Sequence, residues 1–138
     1  MRVLLDTNVV LDFVLARQPF FAEADEIFVC LQNNEFEAFV SPITPINVFY
    51  TTRKERDKPT AFSAIEELLK VVEIARSDKR IFQNALLLDF SDYEDAVQAA
   101  GAAAENLDAI VTRNTKDYKN ASIKIYSPTD FLQVLQRI

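Results

Sequence analysis

The chain has 138 residues, 49% hydrophobic and 26% charged, with 15 Lys and Arg against 21 Asp and Glu. This suits a single folded domain over residues 1–138, and its net charge of −6 argues against a protein that coats nucleic acid by charge alone. With no His, one Cys and one Gly, it excludes Ser-His-Asp and Cys-His nucleophile systems, HExxH zinc sites, intrachain disulfides, P-loops and GxGxxG turns. Any chemistry then falls to carboxylates, with a hard metal ion as their natural companion.

Val3-Leu4-Leu5 is a short apolar run closed by Asp6 and predicts a buried strand. A helix follows from Asn8 to Ala16, broken before Pro19. A second helix, Phe20 to Asn33, carries Ala24, Ile27, Phe28 and Leu31 at helical spacing. Ala38-Phe39-Val40 predicts the next strand, closed by Ser41-Pro42. Helices over Thr44 to Lys54, with Pro45 in its first turn, and over Thr60 to Leu69 come next. Val71 to Ala75 is β-rich. Ser77 or Asp78 caps a helix from Arg80 to Leu88, and Ser91 or Asp92 caps an alanine-rich helix that runs to about Glu105. Ala109-Ile110-Val111 is a further strand ending at Thr112, Ile123-Lys124-Ile125 is a short one, and Pro128 to Gln136 closes as a helix.

Short apolar strands alternating with helices predict an α/β fold, a three-layer α/β/α sandwich around a mostly parallel sheet. Ligands of such sheets sit at the carboxyl ends of the strands. No stretch approaches the roughly 18 apolar residues of a membrane span. The opening MRVLLDTNVV reads poorly as a signal peptide, and the lone Cys30 suits a reducing compartment, so a cytoplasmic protein without membrane contact is expected.

Asp6, then Ser41 and Thr44, then Thr112, Arg113, Asn114 and Asp117 follow predicted strands on that carboxyl edge. Asp92 and Asp95, three apart, share one helix face. Each acid taken singly reads more often as a cap or turn residue, and only the combination points to chemistry.

That combination resembles the PIN domain family, the metal-dependent ribonuclease fold of VapC-type toxins. Four segments carry the resemblance in order: Leu4-Leu5-Asp6-Thr7-Asn8, Ser41-x-x-Thr44, Asp92-x-x-Asp95-Ala96 with its alanine-rich helix, and Ile110-Val111-Thr112-Arg113-Asn114-x-x-Asp117-Tyr118. The resemblance implies a Mg²⁺- or Mn²⁺-dependent endoribonuclease, the toxin of a toxin–antitoxin pair, with RNA as substrate, an antitoxin as partner and a homodimer as assembly. Asp6 and Asp95 would hold the metal, with Asp92 and Asp117 as further catalytic acids. Thr7, Asn8, Ser41, Thr44, Asn47, Thr112 and Asn114 would support them.

Two positions depart from the family pattern. A Glu is usual three residues after the Thr of SxxT, where this chain has Asn47, and an Asp is frequent after Thr-Arg, where it has Asn114. Asn offers a carbonyl oxygen but no charge, so one weakly held ion is expected rather than a tight pair. Asp92, Asp117 and Glu94 stand close enough in sequence to replace the lost charge. The departures also keep open a PIN-fold RNA- or protein-binding module without hydrolysis. Arg53 and Lys54, in a basic cluster with Arg56 and Lys58, and Arg113 and Lys116, beside Lys119, are the candidate grips for RNA phosphates. Tyr50 and Tyr118 lie near enough to stack on a base.

Overall fold

The computed structural model describes residues 1–136. Among them, five strands form one parallel sheet: β1 (Arg2–Leu5), β2 (Glu37–Val40), β3 (Val72–Ile74), β4 (Ala109–Val111) and β5 (Lys124–Tyr126), in the order β3-β2-β1-β4-β5. The pleat divides the apolar runs between two faces. Val3, Leu5, Ala38, Val40, Ala109 and Val111 join one buried cluster, whereas Leu4, Phe39 and Ile110 join the other. A run apolar throughout is what a strand covered on both sides requires.

The first face is covered by α1 (Thr7–Val14), α2 (Phe21–Gln32), α3 (Ile43–Glu55), α4 (Lys58–Val71) and α7 (Pro128–Gln136), which supply Val9, Val10, Ile27, Phe28, Val48, Leu68, Phe131 and Leu135 to its cluster. The second face is covered by α6 (Tyr93–Ala104), with α5 (Lys79–Ala85) packed beside it. Ala99 and Ala102 of α6 are buried in the second cluster, and such small side chains let the helix lie close to the strands. The expected three-layer α/β/α sandwich is therefore present, with a sheet that is parallel throughout the described residues.

Three Asp residues start helices by accepting the amide three residues on: Asp57 from Thr60 at 2.7 Å, Asp78 from Ile81 at 3.1 Å and Asp92 from Asp95 at 2.9 Å. Of the paired cap candidates, Asp78 and Asp92 serve rather than Ser77 and Ser91. Two helices end two or three residues before the end that their sequence periodicity predicts. The first stops at Val14 because Ala16 takes a left-handed conformation at φ 51°. The fifth stops at Ala85 rather than Leu88: Leu86 and Leu87 find no layer to cover, being 70% and 82% exposed, and Asp89 turns the chain at φ 54° toward the Asp92 cap.

From β1 the chain builds outward to β2 and β3, then crosses back to place β4 and β5 on the other side of β1. The reversal between β1 and β4 opens a crevice at the carboxyl ends of these strands, the place where such sheets bind ligands. Leu4 is fully buried, so Leu4→Ala should cost about 2–5 kcal/mol in urea unfolding, whereas Leu87→Ala should stay within about 0.5 kcal/mol.

Candidate functional site

Asp6 stands at the β1–β4 reversal. Its amide donates to the Val111 carbonyl at 3.0 Å, and its own carbonyl accepts the Val9 and Val10 amides that begin α1. The side chain does not cap that helix. Instead Oδ2 accepts from Thr112 Oγ1 at 2.7 Å and Oδ1 from Gln98 Nε2 at 3.1 Å. Thr112 Oγ1 in turn accepts the Asn114 amide at 3.0 Å, which ties the loop after β4 to the same carboxylate.

Gln98 Nε2 also donates to the Tyr118 hydroxyl oxygen at 3.0 Å, and that hydroxyl donates to Asp95 Oδ1 at 3.1 Å. Asp6 and Asp95 are thus joined through Gln98 and Tyr118. The path runs through a helix, a strand end and the 3-10 turn Thr115–Tyr118. Because α6 feeds a parallel strand, it must begin at the carboxyl edge, and this brings Asp92, Glu94 and Asp95 to Asp6. A second network joins α1, α3 and α6: Thr7 and Thr44 share a hydrogen bond between hydroxyls at 2.8 Å, and Glu94 Oε1 accepts from Thr7 Oγ1 at 3.3 Å and from Asn47 Nδ2 at 2.9 Å.

These groups line an open cavity of about 490 Å³ whose wall carries Asp6, Asp92, Glu94, Asp95 and Asp117 together with Thr7, Asn8, Asn47 and Asn114. Among the described residues no Lys or Arg lines it. Its electrostatics follow. Burial, then the charges of Asp6 and Asp92, push Asp95 up to about 7. Burial also raises Asp6, against the hydrogen bonds from Thr112 and Gln98 that favour its ionised form. Glu94 is raised by burial too, with Thr7 and Asn47 opposing. Burial and the neighbouring acids hold the Tyr118 hydroxyl protonated far beyond the ordinary range, so it serves only as a neutral donor to Asp95.

The donor set is all oxygen, rich in charge and without a neutralising base, which is the chemistry a hard divalent cation fits. No three carboxylates among the described residues are grouped as a ready-made metal cage.

The remaining candidates lie elsewhere. Ser41 is buried, with its Oγ accepting the Ile43 amide at 3.4 Å. Arg53 and Lys54 lie exposed in the last turn of α3, and Lys116 lies exposed in the 3-10 turn. Arg113 is committed inward rather than left free to grip RNA: its Nε meets Asp12 Oδ2 at 2.6 Å, its Nη2 meets Oδ1 at 3.3 Å, and its guanidinium lies 3.8 Å from the Phe20 ring centroid. Tyr118 is 1% exposed, so it is no platform for a base, whereas Tyr50 is open at the surface. Sequence reasoning missed Gln98 and Asp12. The signal for Gln98 was a polar side chain on the buried face of an alanine-rich helix, a position that demands hydrogen-bond partners.

A family profile described as PIN domain matches residues 2–116. The chain belongs to the PIN domain family. No curated protein matches it. Among solved structures, VapBC2 from Rickettsia felis, bound to a promoter DNA fragment, is similar at 19% identity and TM-score 0.70, over 92% of this chain and 98% of that one. A toxin–antitoxin complex from Klebsiella pneumoniae gives 23% identity and TM-score 0.69, over 91% and 97%. VapC20 from Mycobacterium tuberculosis, described as a sarcin-ricin loop cleaving toxin, gives 12% and 0.65, over 78% and 86%. At these identities the likeness is one of fold, and this chain shares it as a PIN domain.

Two outcomes follow from the site. A carboxyl raised by folding binds its proton more tightly folded than unfolded, so the stability it contributes is present below its ordinary value of 3.8 and lost as pH rises to about 7. In EDTA, Tm should therefore fall between about pH 4 and about pH 7, and Asp95→Asn should flatten that slope in thermal melts. Arg113→Ala strands the buried Asp12 and should cost about 3–5 kcal/mol in urea unfolding, while Lys116→Ala should leave stability within about 0.5 kcal/mol.

Proposed function

We propose that this PIN domain is a Mg²⁺- or Mn²⁺-dependent endoribonuclease, the toxin of a toxin–antitoxin pair acting in the cytoplasm. The observation that carries this reading is the acid-lined crevice, in which Asp6 and Asp95 are held by one hydrogen-bond path in a cavity without a base. The similar structures, toxin–antitoxin complexes and an RNA-loop-cleaving toxin among them, support both substrate class and partner. Exposed apolar side chains on α3, on α4 and just after α5, among them Ile46, Phe62, Leu86 and Leu87, support docking of an antitoxin and of a second copy. Among the described residues no helix is long and apolar enough to cross a membrane.

Asp6 and Asp95 would hold the cation. When bound, it acidifies water and offsets charge on the phosphate. Thr112 and Gln98 fix the Asp6 carboxylate, and Tyr118 fixes Asp95, so that both oxygen donors keep their spacing when RNA enters. We assign Asp92 and Asp117 the orientation of the attacking water and the acceptance of its proton. Lys116, Arg53 and Lys54, outside the cavity, would hold flanking phosphates. Arg113 instead would keep the loop after β4 in place through Asp12.

Cleavage of a fluorescent single-stranded RNA tests the reading. Cutting with Mg²⁺ or Mn²⁺ should vanish in EDTA and drop on the order of 100-fold or more in Asp6→Asn and in Asp95→Asn. Cutting that survives EDTA or both substitutions overturns it. A folded protein that binds several RNAs and cuts none favours the binding module, a reading suggested by the lack of a three-carboxylate cage.

A further inference from the structure

Beside the acidic crevice lies a second cavity of about 420 Å³, with Glu94 in the wall between them. Its character is the opposite one. Ile43 and Ile46 of α3, Phe82 of α5 and Tyr93 of α6 line it, together with Ser77 from the loop after β3. Among the described residues Glu94 is the only charged side chain in that lining, and it bonds Asn47 and Thr7 on the crevice side.

Both aromatic rings are close to half exposed, Phe82 at 45% and Tyr93 at 46%. A single exposed aromatic is an ordinary surface feature. These two are paired, with ring centroids 6.3 Å apart and planes inclined at 52°. The Tyr93 hydroxyl donates to the Phe82 carbonyl at 2.9 Å, which ties α6 to α5 and holds the ring in place. Aromatic faces held beside a polar crevice and left open to water suit a flat, stacking ligand.

Charge selects the class of that ligand. Arg76, Lys79 and Arg80 lie exposed on either side of Ser77, in the loop after β3 and the start of α5. Lys79 precedes Phe82 by three residues and so shares its helix face. Among the described residues no ion pair engages any of the three bases. The nearest acids in their surroundings are spent on backbone amides: Asp78 accepts from Ile81, and Glu105 from Arg76 at 3.0 Å. In a chain of net charge −6, unpaired bases gathered beside an aromatic cavity fit a flat ring carried on phosphates.

We propose that this cavity is a nucleobase subsite, in which one unpaired base of an RNA strand stacks on Phe82 and Tyr93 while Arg76 and Lys79 hold its phosphates. It rests on the RNA reading above and extends that reading to the nucleotide beside the crevice.

Anisotropy of the fluorescent single-stranded RNA used for cleavage, measured in EDTA with the full chain, tests it apart from activity. Thermal melts check that each variant is folded. Phe82→Leu and Tyr93→Leu keep apolar bulk and remove an aromatic face, and each should weaken binding at least about fivefold. Tyr93→Phe keeps the face and should stay within about twofold. Lys79→Gln should lower the slope of log affinity against log salt by about 0.7. Replacing the bases one at a time by abasic nucleotides should expose one sensitive position, and Tyr93→Leu should erase that sensitivity.

Wild-type affinity in Phe82→Leu and Tyr93→Leu overturns the inference, as does a loss in which the abasic strands show no sensitive position. Unchanged RNA affinity with a dimer split in sedimentation overturns it too and makes this face an interface between copies. RNA that is cut with Mg²⁺ but not bound in EDTA overturns the subsite alone and leaves the nuclease standing. RNA bound in the expected pattern and never cut supports the subsite and overturns the nuclease. If the RNA is neither cut nor bound, both readings fall.

Discussion

The Asp6 carboxylate is buried at the carboxyl end of the central strand with no base beside it, and the surrounding architecture answers that one constraint. A carboxylate out of water is costly unless donors surround it. Two side-chain donors are present, one just after β4 and one from α6. Thr112 comes with the strand that pairs beside β1. Gln98 reaches Asp6 because Ala99 and Ala102 keep α6 close to the sheet. The compensation is incomplete, so Asp6 stays raised, and the site keeps an excess of negative charge for which the protein provides no partner.

Burial on both sides of the sheet and the acidic crevice are two consequences of one topology. Since every strand is parallel, every loop at the carboxyl edge leads from a strand into the helix layers, and every helix that feeds a strand begins at that edge. Asp6, Thr112 and Asp95 come from segments remote in sequence, yet they meet because the sheet reverses direction between β1 and β4. The Asp12–Arg113 pair then fastens the loop after β4 to α1 from outside the cavity, with Phe20 covering the guanidinium. A cation spent in this way keeps a base off the cavity wall while still neutralising a buried acid.

Much of this is legible in the residues alone. Apolar triplets closed by polar residues mark β1, β2 and β4, and the spacing of Asp and Pro marks the helix starts. Both signals are local, and local chemistry decides them. The early end of α5 depends instead on the absence of a neighbouring layer to cover Leu86 and Leu87, and a sequence does not show what lies opposite a side chain. The same holds within the site. Asp6 and Asp95 declare themselves by position, but Gln98 and Asp12 acquire their roles from partners 92 and 101 residues away. Arg113 looks like a free base in its loop and is not, because the acid that holds it lies on α1.

A motif records which residue types recur at which places, whereas a cation responds only to where the oxygens lie. Asn47 and Asn114 each depart from the motif, and the structure treats them differently. The side chain of Asn47 donates to Glu94 and so joins α3 to the start of α6 at the cavity wall. Asn114 uses its backbone amide, which donates to Thr112, and this link to Asp6 does not depend on which side chain follows Arg113. The first departure puts a donor where it meets Glu94. The second conserves the loop and gives up the charge. Counting acids along the sequence makes the two look alike, but in three dimensions one side chain joins two helices and the other residue holds its loop through the backbone.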